Sequence, residues 1–198
     1  MPISNKNKLI FVHIPKNAGT SITESDNIGF ELHGHHTSKF YKDNYPKQWE
    51  EYNKFAIIRD PWDRVVSNYE YSKMSESYWH SKNVNRKYGV HPDYETLKDV
   101  TFKDMLLNFK EDSNFLKHQG WGSQYKYICD LNDSIMVDNV FNIDELGSEL
   151  FKTLIPNLKT INKSNKIHNN YKEYYDDETK EIVNKIYEKD IEIFKFQY

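Results

Sequence analysis

The sequence predicts an α/β domain built on a parallel sheet, and three observations carry that expectation. Residues 9–14 read LIFVHI, a nearly continuous apolar run of the kind found in strands buried on both faces. Residues 55–58, FAII, repeat the pattern. Each run leads at once into a segment that can open a helix, and each carries a cation just past its end, Lys16 and Arg59. In such sheets ligands gather at the carboxyl edge of the strands.

The first strand ends where PKNAGTS begins. Pro15 has no N–H for a ladder, Gly19 allows close backbone approach, and Thr20 and Ser21 can open the helix over SITESDNI. Exposed N–H groups of Asn17, Ala18, Gly19, Thr20 and Ser21 suit a phosphate or sulfate, and Lys16 adds a full charge. The pattern is not a Walker loop, because Lys16 precedes Gly19 instead of following it.

Phe30 and Leu32 suggest a short strand before the histidines of HGHH, which are His33, His35 and His36. The second strand, 55–58, is broken at Pro61, and a helix follows with Val65, Val66, Tyr69 and Met74 on one face. Residues 75–100 are polar, aromatic and aperiodic, which predicts a surface excursion. A helix over 101–109 has Thr101 as its N-cap. After the turn LNDS, SIMVDNVFNI at 134–143 predicts a strand, and 144–155 a helix capped by Asp144. A polar loop over 159–170 precedes a last helix, striped by Ile182, Val183, Ile186, Tyr187, Ile191 and Phe194.

The 198 residues suffice for one core, so a single domain over 1–198 is expected. A net charge of −3 and a pI near 6.2 exclude general nucleic-acid binding, which needs a basic surface. Cys129 is the sole cysteine, which excludes an internal disulfide framework. A polar start and a short first apolar run predict a cytoplasmic protein with neither leader nor membrane anchor.

Read together, HIPKNAGTS and RDPWDRVVSNY resemble the paired cofactor motifs of the carbohydrate-type sulfotransferases, the family 2 group that includes enzymes acting on heparan and chondroitin. HGHH, SQYKYI, IMVDNVFNIDEL, the NKS loop and YEKDIEIFKFQY are similar to later landmarks in order, so nearly the whole chain is covered. The resemblance implies a three-layer α/β/α, P-loop NTPase-like fold. It implies 3′-phosphoadenosine 5′-phosphosulfate (PAPS) as donor, with no metal and a hydroxyl-bearing acceptor such as a glycan or small metabolite. Lys16 through Ser21 then face the 5′-phosphosulfate, and Arg59 with Ser67 the 3′-phosphate. Lys163, Ser164 and Lys166 would close over the nucleotide, and residues 75–100 would lie near the acceptor. Two departures stand out: Asn17 replaces a common Thr, and Asn142-Ile143-Asp144 replaces an aromatic-Glu pairing.

Independent chemistry agrees. A guanidinium after a buried strand offers a rigid fork for phosphate. The plainer alternative pairs Arg59 with Asp60 or Asp63 and lets Ser67 bond back to its own helix. An apolar strand ending near Asp60 also resembles a Walker B element, so a Mg²⁺-dependent nucleotide kinase is one rival and a non-catalytic nucleotide-binding protein another. The histidines lack acidic or thiol partners at ligand spacing, so no metal is expected. An imidazole suits proton removal from an acceptor hydroxyl, with His35 first by motif match and His33 as support or substitute.

Overall fold

The computed structural model describes residues 2–23, 28–31, 34–74, 91–156, 158 and 170–198. Their packing divides into two units, Met1–Asp60 with Gly122–Lys163 and Ile193–Lys195, and Pro61–Trp121 with Ser164–Glu192 and Phe196–Tyr198.

The first unit holds a four-stranded sheet in the order β1 (Ile3–Ser4), β2 (Leu9–Val12), β3 (Asn53–Ile58), β4 (Asn139–Asn142). Both anticipated strands are present. Phe11 pairs with Phe55 across β2 and β3, and Ile57 with Phe141 across β3 and β4, all parallel. The sheet is not wholly parallel, because β1 runs antiparallel to β2 at one edge. Two residues of strand are too few to signal themselves in sequence. Leu9, Phe11, Phe55, Ile57, Phe141 and Phe151 build one core with Ile22 and Ile28. All four residues of β2 are buried, which is why they read as a continuous apolar run.

Around the sheet stand α1 (Gly19–Thr23), α2 (Ser38–Asn44) and α3 (Pro46–Glu51). The two later helices had no clear apolar period. Thr37 caps α2, accepting from the Phe40 N–H at 3.2 Å, and Pro46 opens α3 with its φ already suited to a first turn. No strand forms at Phe30, although the Glu31 N–H donates to the Ile3 carbonyl at 3.1 Å; Leu32 lies outside the described residues.

The strand predicted over 134–143 is shorter than expected. Ile135 makes an isolated bridge to Cys129, and only 139–142 joins the sheet. Asp144 is not the cap of the helix that follows. Asn142 and Glu145 instead form a capping box around a 3₁₀ turn, and α8 (Glu149–Leu154) starts afresh with Ser148 as N-cap. Gly147 separates the two, which explains why one continuous helix does not form. The Glu145 carboxylate accepts from the Asn142 N–H at 2.6 Å, so it has a structural partner. Tyr125–Ile128 forms a single helical turn, α7.

The second unit is helical: α4 (Pro61–Ser72), α5 (Tyr94–Leu97), α6 (Phe102–Glu111), α9 (Asp177–Ile186), and then α10 (Glu188–Phe194) up to Glu192. Val65, Val66 and Tyr69 of α4 are buried with Met105, Leu106, Ile182, Val183 and Tyr187. The striped last helix breaks at Tyr187, whose hydroxyl donates to the Trp121 carbonyl at 2.7 Å. Thr101 caps α6 as predicted, accepting from the Asp104 N–H at 3.1 Å.

The end of the predicted surface excursion is anchored. Leu97 and Asp93 are fully buried. Asp93 accepts from the N–H groups of Lys117 and His118 and from the Trp121 indole, three donors that compensate a buried carboxylate. Residues 75–90 lie outside the described residues. Among those described, no helix is long and apolar enough to cross a membrane.

Candidate functional site

The segment after β2 adopts a conformation that side chains normally avoid. Lys16 has φ 69° and Ala18 has φ 56°, left-handed values for two non-glycine residues separated by one. Each costs on the order of 1 kcal/mol or more, and such strain persists only where surrounding structure fixes it. A left-handed residue next to a right-handed one turns successive N–H groups toward one concavity, the arrangement that binds anions.

Asn17 does the fixing. It is fully buried, and its Nδ2 donates to the Ile57 carbonyl at 2.7 Å and to Gln124 Oε1 at 2.7 Å. Those bonds tie the loop to the end of β3 and to the start of α7. The Asn17 Oδ1 is buried without a hydrogen-bond partner. With both amide hydrogens committed to oxygens, a flipped amide would face two acceptors, so the orientation is determined. A Thr at this position could donate only one such bond.

Arg59 completes the structure. It is nearly buried, and its Nη1 donates to the Lys16 carbonyl at 3.1 Å. Its own backbone N–H donates to Gln124 Oε1 at 3.0 Å, and its carbonyl accepts from Gln124 Nε2 at 2.8 Å. The two motifs recognised in the sequence thus meet in space through their strand ends.

Gly19 begins α1, and its lack of a side chain leaves the space that the His13 ring occupies. A Cβ there would lie 1.5 Å from His13 Nε2, inside any permitted contact. The His13 ring therefore rests on the glycine. It also stacks on Phe11 with centroids 5.3 Å apart, and meets the His35 ring at 4.1 Å. His35 Nδ1 lies 3.1 Å from the His13 carbonyl. A carbonyl only accepts, so Nδ1 carries the hydrogen and the basic nitrogen of the neutral ring is Nε2.

The histidine cluster divides. His36 stacks on Phe40 at 4.2 Å, and burial holds its pKa below the ordinary value, which favours a neutral packing role. His33 lies outside the described residues, as do Lys163, Ser164 and Lys166. Lys16, Ala18 and Thr20 are half-buried and Ser21 is buried. Ser67 is buried on α4, in the second unit. Among the described residues no group of three His, Cys, Asp or Glu side chains is placed to hold a metal.

Two members of this site were not singled out from sequence. His13 gave a faint signal, the one polar residue in an apolar strand run. Gln124 lies within SQYKYI, but its role was not legible there, since its partners lie 65 and 107 residues away.

The chain matches the sulfotransferase family model over residues 1–197. Among curated proteins none matches. A mostly parallel sheet, a strained loop after its second strand, and an arginine bonded to that loop agree with a family match spanning almost every residue. The chain belongs to the sulfotransferase family.

Proposed function

We propose that the protein transfers a sulfuryl group from PAPS to a hydroxyl on a carbohydrate or small-molecule acceptor. The observation that carries this reading is the Arg59 Nη1 bond to the Lys16 carbonyl, which brings the two donor motifs together. The same reading assigns the chain to the P-loop-like, three-layer α/β/α class. Its support is the parallel β2–β3–β4 core, with β2 leading into a loop and a helix.

The residues fit a doubly anionic nucleotide. Backbone N–H groups around Asn17 to Ser21 and the Lys16 ammonium face the 5′-phosphosulfate, where charge grows as the bridging S–O bond breaks. Arg59 meets the 3′-phosphate. His35 Nε2 takes the acceptor proton while the acceptor oxygen forms its bond to sulfur. The products are the sulfate ester and adenosine 3′,5′-bisphosphate. Orientation supplies much of the acceleration, because acceptor oxygen, sulfur and leaving oxygen must lie in line.

Thermal stabilisation by adenosine 3′,5′-bisphosphate, AMP, ATP and ATP with Mg²⁺ tests the reading. The bisphosphate should stabilise most, by about 2.7 kcal/mol at a hundred times its dissociation constant. Preference for ATP with Mg²⁺ would instead support a phosphotransferase.

A further inference from the structure

Gln124 touches both halves of the donor site in the first unit. It is fully buried, and its amide bonds in three directions: Oε1 accepts from Asn17 Nδ2 and from the Arg59 N–H, and Nε2 donates to the Arg59 carbonyl. The Arg59 bonds copy a peptide group pairing with the chain just beyond the last residue of β3. Arg59 then reaches back to the Lys16 carbonyl. A closed ring results, running Lys16, Asn17, Gln124, Arg59 and back to Lys16.

Simple space-filling does not account for this arrangement, because both ends of the amide are committed to polar groups. Two of the three bonds hold the backbone of the residue assigned to the 3′-phosphate. The third holds the residue between the two left-handed positions of the loop. Fixing the Arg59 peptide limits where its guanidinium can lie, and fixing Asn17 holds the anion-facing loop in the same frame.

We propose that Gln124 is a positioning residue for donor selection, holding Arg59 and the 16–19 loop in one register so that both phosphate ends are met at once. The proposal rests on the PAPS reading above. It assigns Gln124 no contact with the nucleotide, only an effect transmitted through Arg59 and Asn17. Removing the amide leaves Asn17 Nδ2 and the Arg59 peptide without these partners, and their positions relax.

The test is the ratio of dissociation constants for AMP and adenosine 3′,5′-bisphosphate, measured by titration calorimetry. Both ligands see the same folded fraction, so lost stability cancels in the ratio. The proteins compared are wild type, Gln124→Ala, Gln124→Glu, Arg59→Ala and the Gln124→Ala/Arg59→Ala pair. Wild type should prefer the bisphosphate, and each Gln124 variant should lose about tenfold of that preference. Adding Gln124→Ala to Arg59→Ala should change the ratio no further, since both act through one guanidinium. If Gln124→Ala does not fold, Gln124→Glu decides, because it keeps shape and the Oε1 acceptor and loses the Nε2 donor. A wild-type ratio in the folded Gln124 variants, or additive losses in the pair, overturns the positioning role alone. Absence of any preference in wild type overturns the donor reading, and the proposal with it.

Discussion

His35 donates its Nδ1–H to the main-chain carbonyl of His13 at 3.1 Å, while the two rings meet with centroids 4.1 Å apart. One residue thus sets both the tautomer and the orientation of the other. A base whose proton-accepting nitrogen is fixed before substrate arrives needs no reorganisation during transfer.

His35→Ala should therefore leave affinity for adenosine 3′,5′-bisphosphate near wild type and lower turnover by roughly a hundredfold to ten-thousandfold. Wild-type turnover should decline toward acid pH, because the protonated imidazole cannot accept the acceptor proton. A labelled-donor assay over a panel of glycans and small alcohols, paired with bisphosphate titration, checks both. Full turnover in His35→Ala assigns the base elsewhere, with His33 the first residue to replace.

Gly19→Ala should displace the His13 ring, since the new methyl would lie 1.5 Å from Nε2. Overpacking of this kind costs about 1–3 kcal/mol. The same substitution in a His13→Ala background should cost much less, because the obstructing ring is gone. Chemical denaturation of the four proteins in the cycle measures the difference, and equal costs in both backgrounds would show that the ring does not require the glycine.

Lys16→Ala should reduce turnover more than it reduces affinity for the bisphosphate. The product lacks the sulfuryl group, whereas the ammonium is assigned to charge that develops on the leaving oxygen. The substitution exchanges one non-glycine residue for another at φ 69°, so it does not relieve the backbone strain and changes report the side chain. Comparing kcat with the product dissociation constant decides the matter; matched losses would make Lys16 a ground-state anchor.

Asp176 supplies a pH-dependent element at the start of α9. Lys103 at 2.8 Å, and then the Thr179 N–H and hydroxyl, hold its carboxyl well below the ordinary carboxylate value. A folded-state pKa that is depressed stabilises the fold above the unfolded value, near about pH 4, and that contribution fades as pH falls. Asp176→Asn keeps a capping oxygen and loses the charge. Its melting temperature should lie below wild type at pH 7, and the gap should start to narrow as pH falls below about 4. Added salt should narrow the gap at pH 7, because the pair is exposed. A gap that persists unchanged into acid would assign the loss to cap geometry.

The sequence by itself determined the two central strands, because burial on both faces leaves an unbroken apolar run that needs no partner to be read. It determined the Thr101 cap and the α4 face, which depend on residues within a turn of one another. It also determined the family, since the loop after β2 and the arginine after β3 are local patterns. Only the tertiary structure decided that Gly19 accommodates the His13 ring, that the His13 carbonyl selects the His35 tautomer, and that His36 stands apart from both. It likewise decided that Gln124 joins Asn17 to Arg59. Local propensity acts over a few residues, whereas the His35–His13, Gln124–Arg59 and Gln124–Asn17 bonds join groups 22, 65 and 107 positions apart, where sequence spacing carries no geometry.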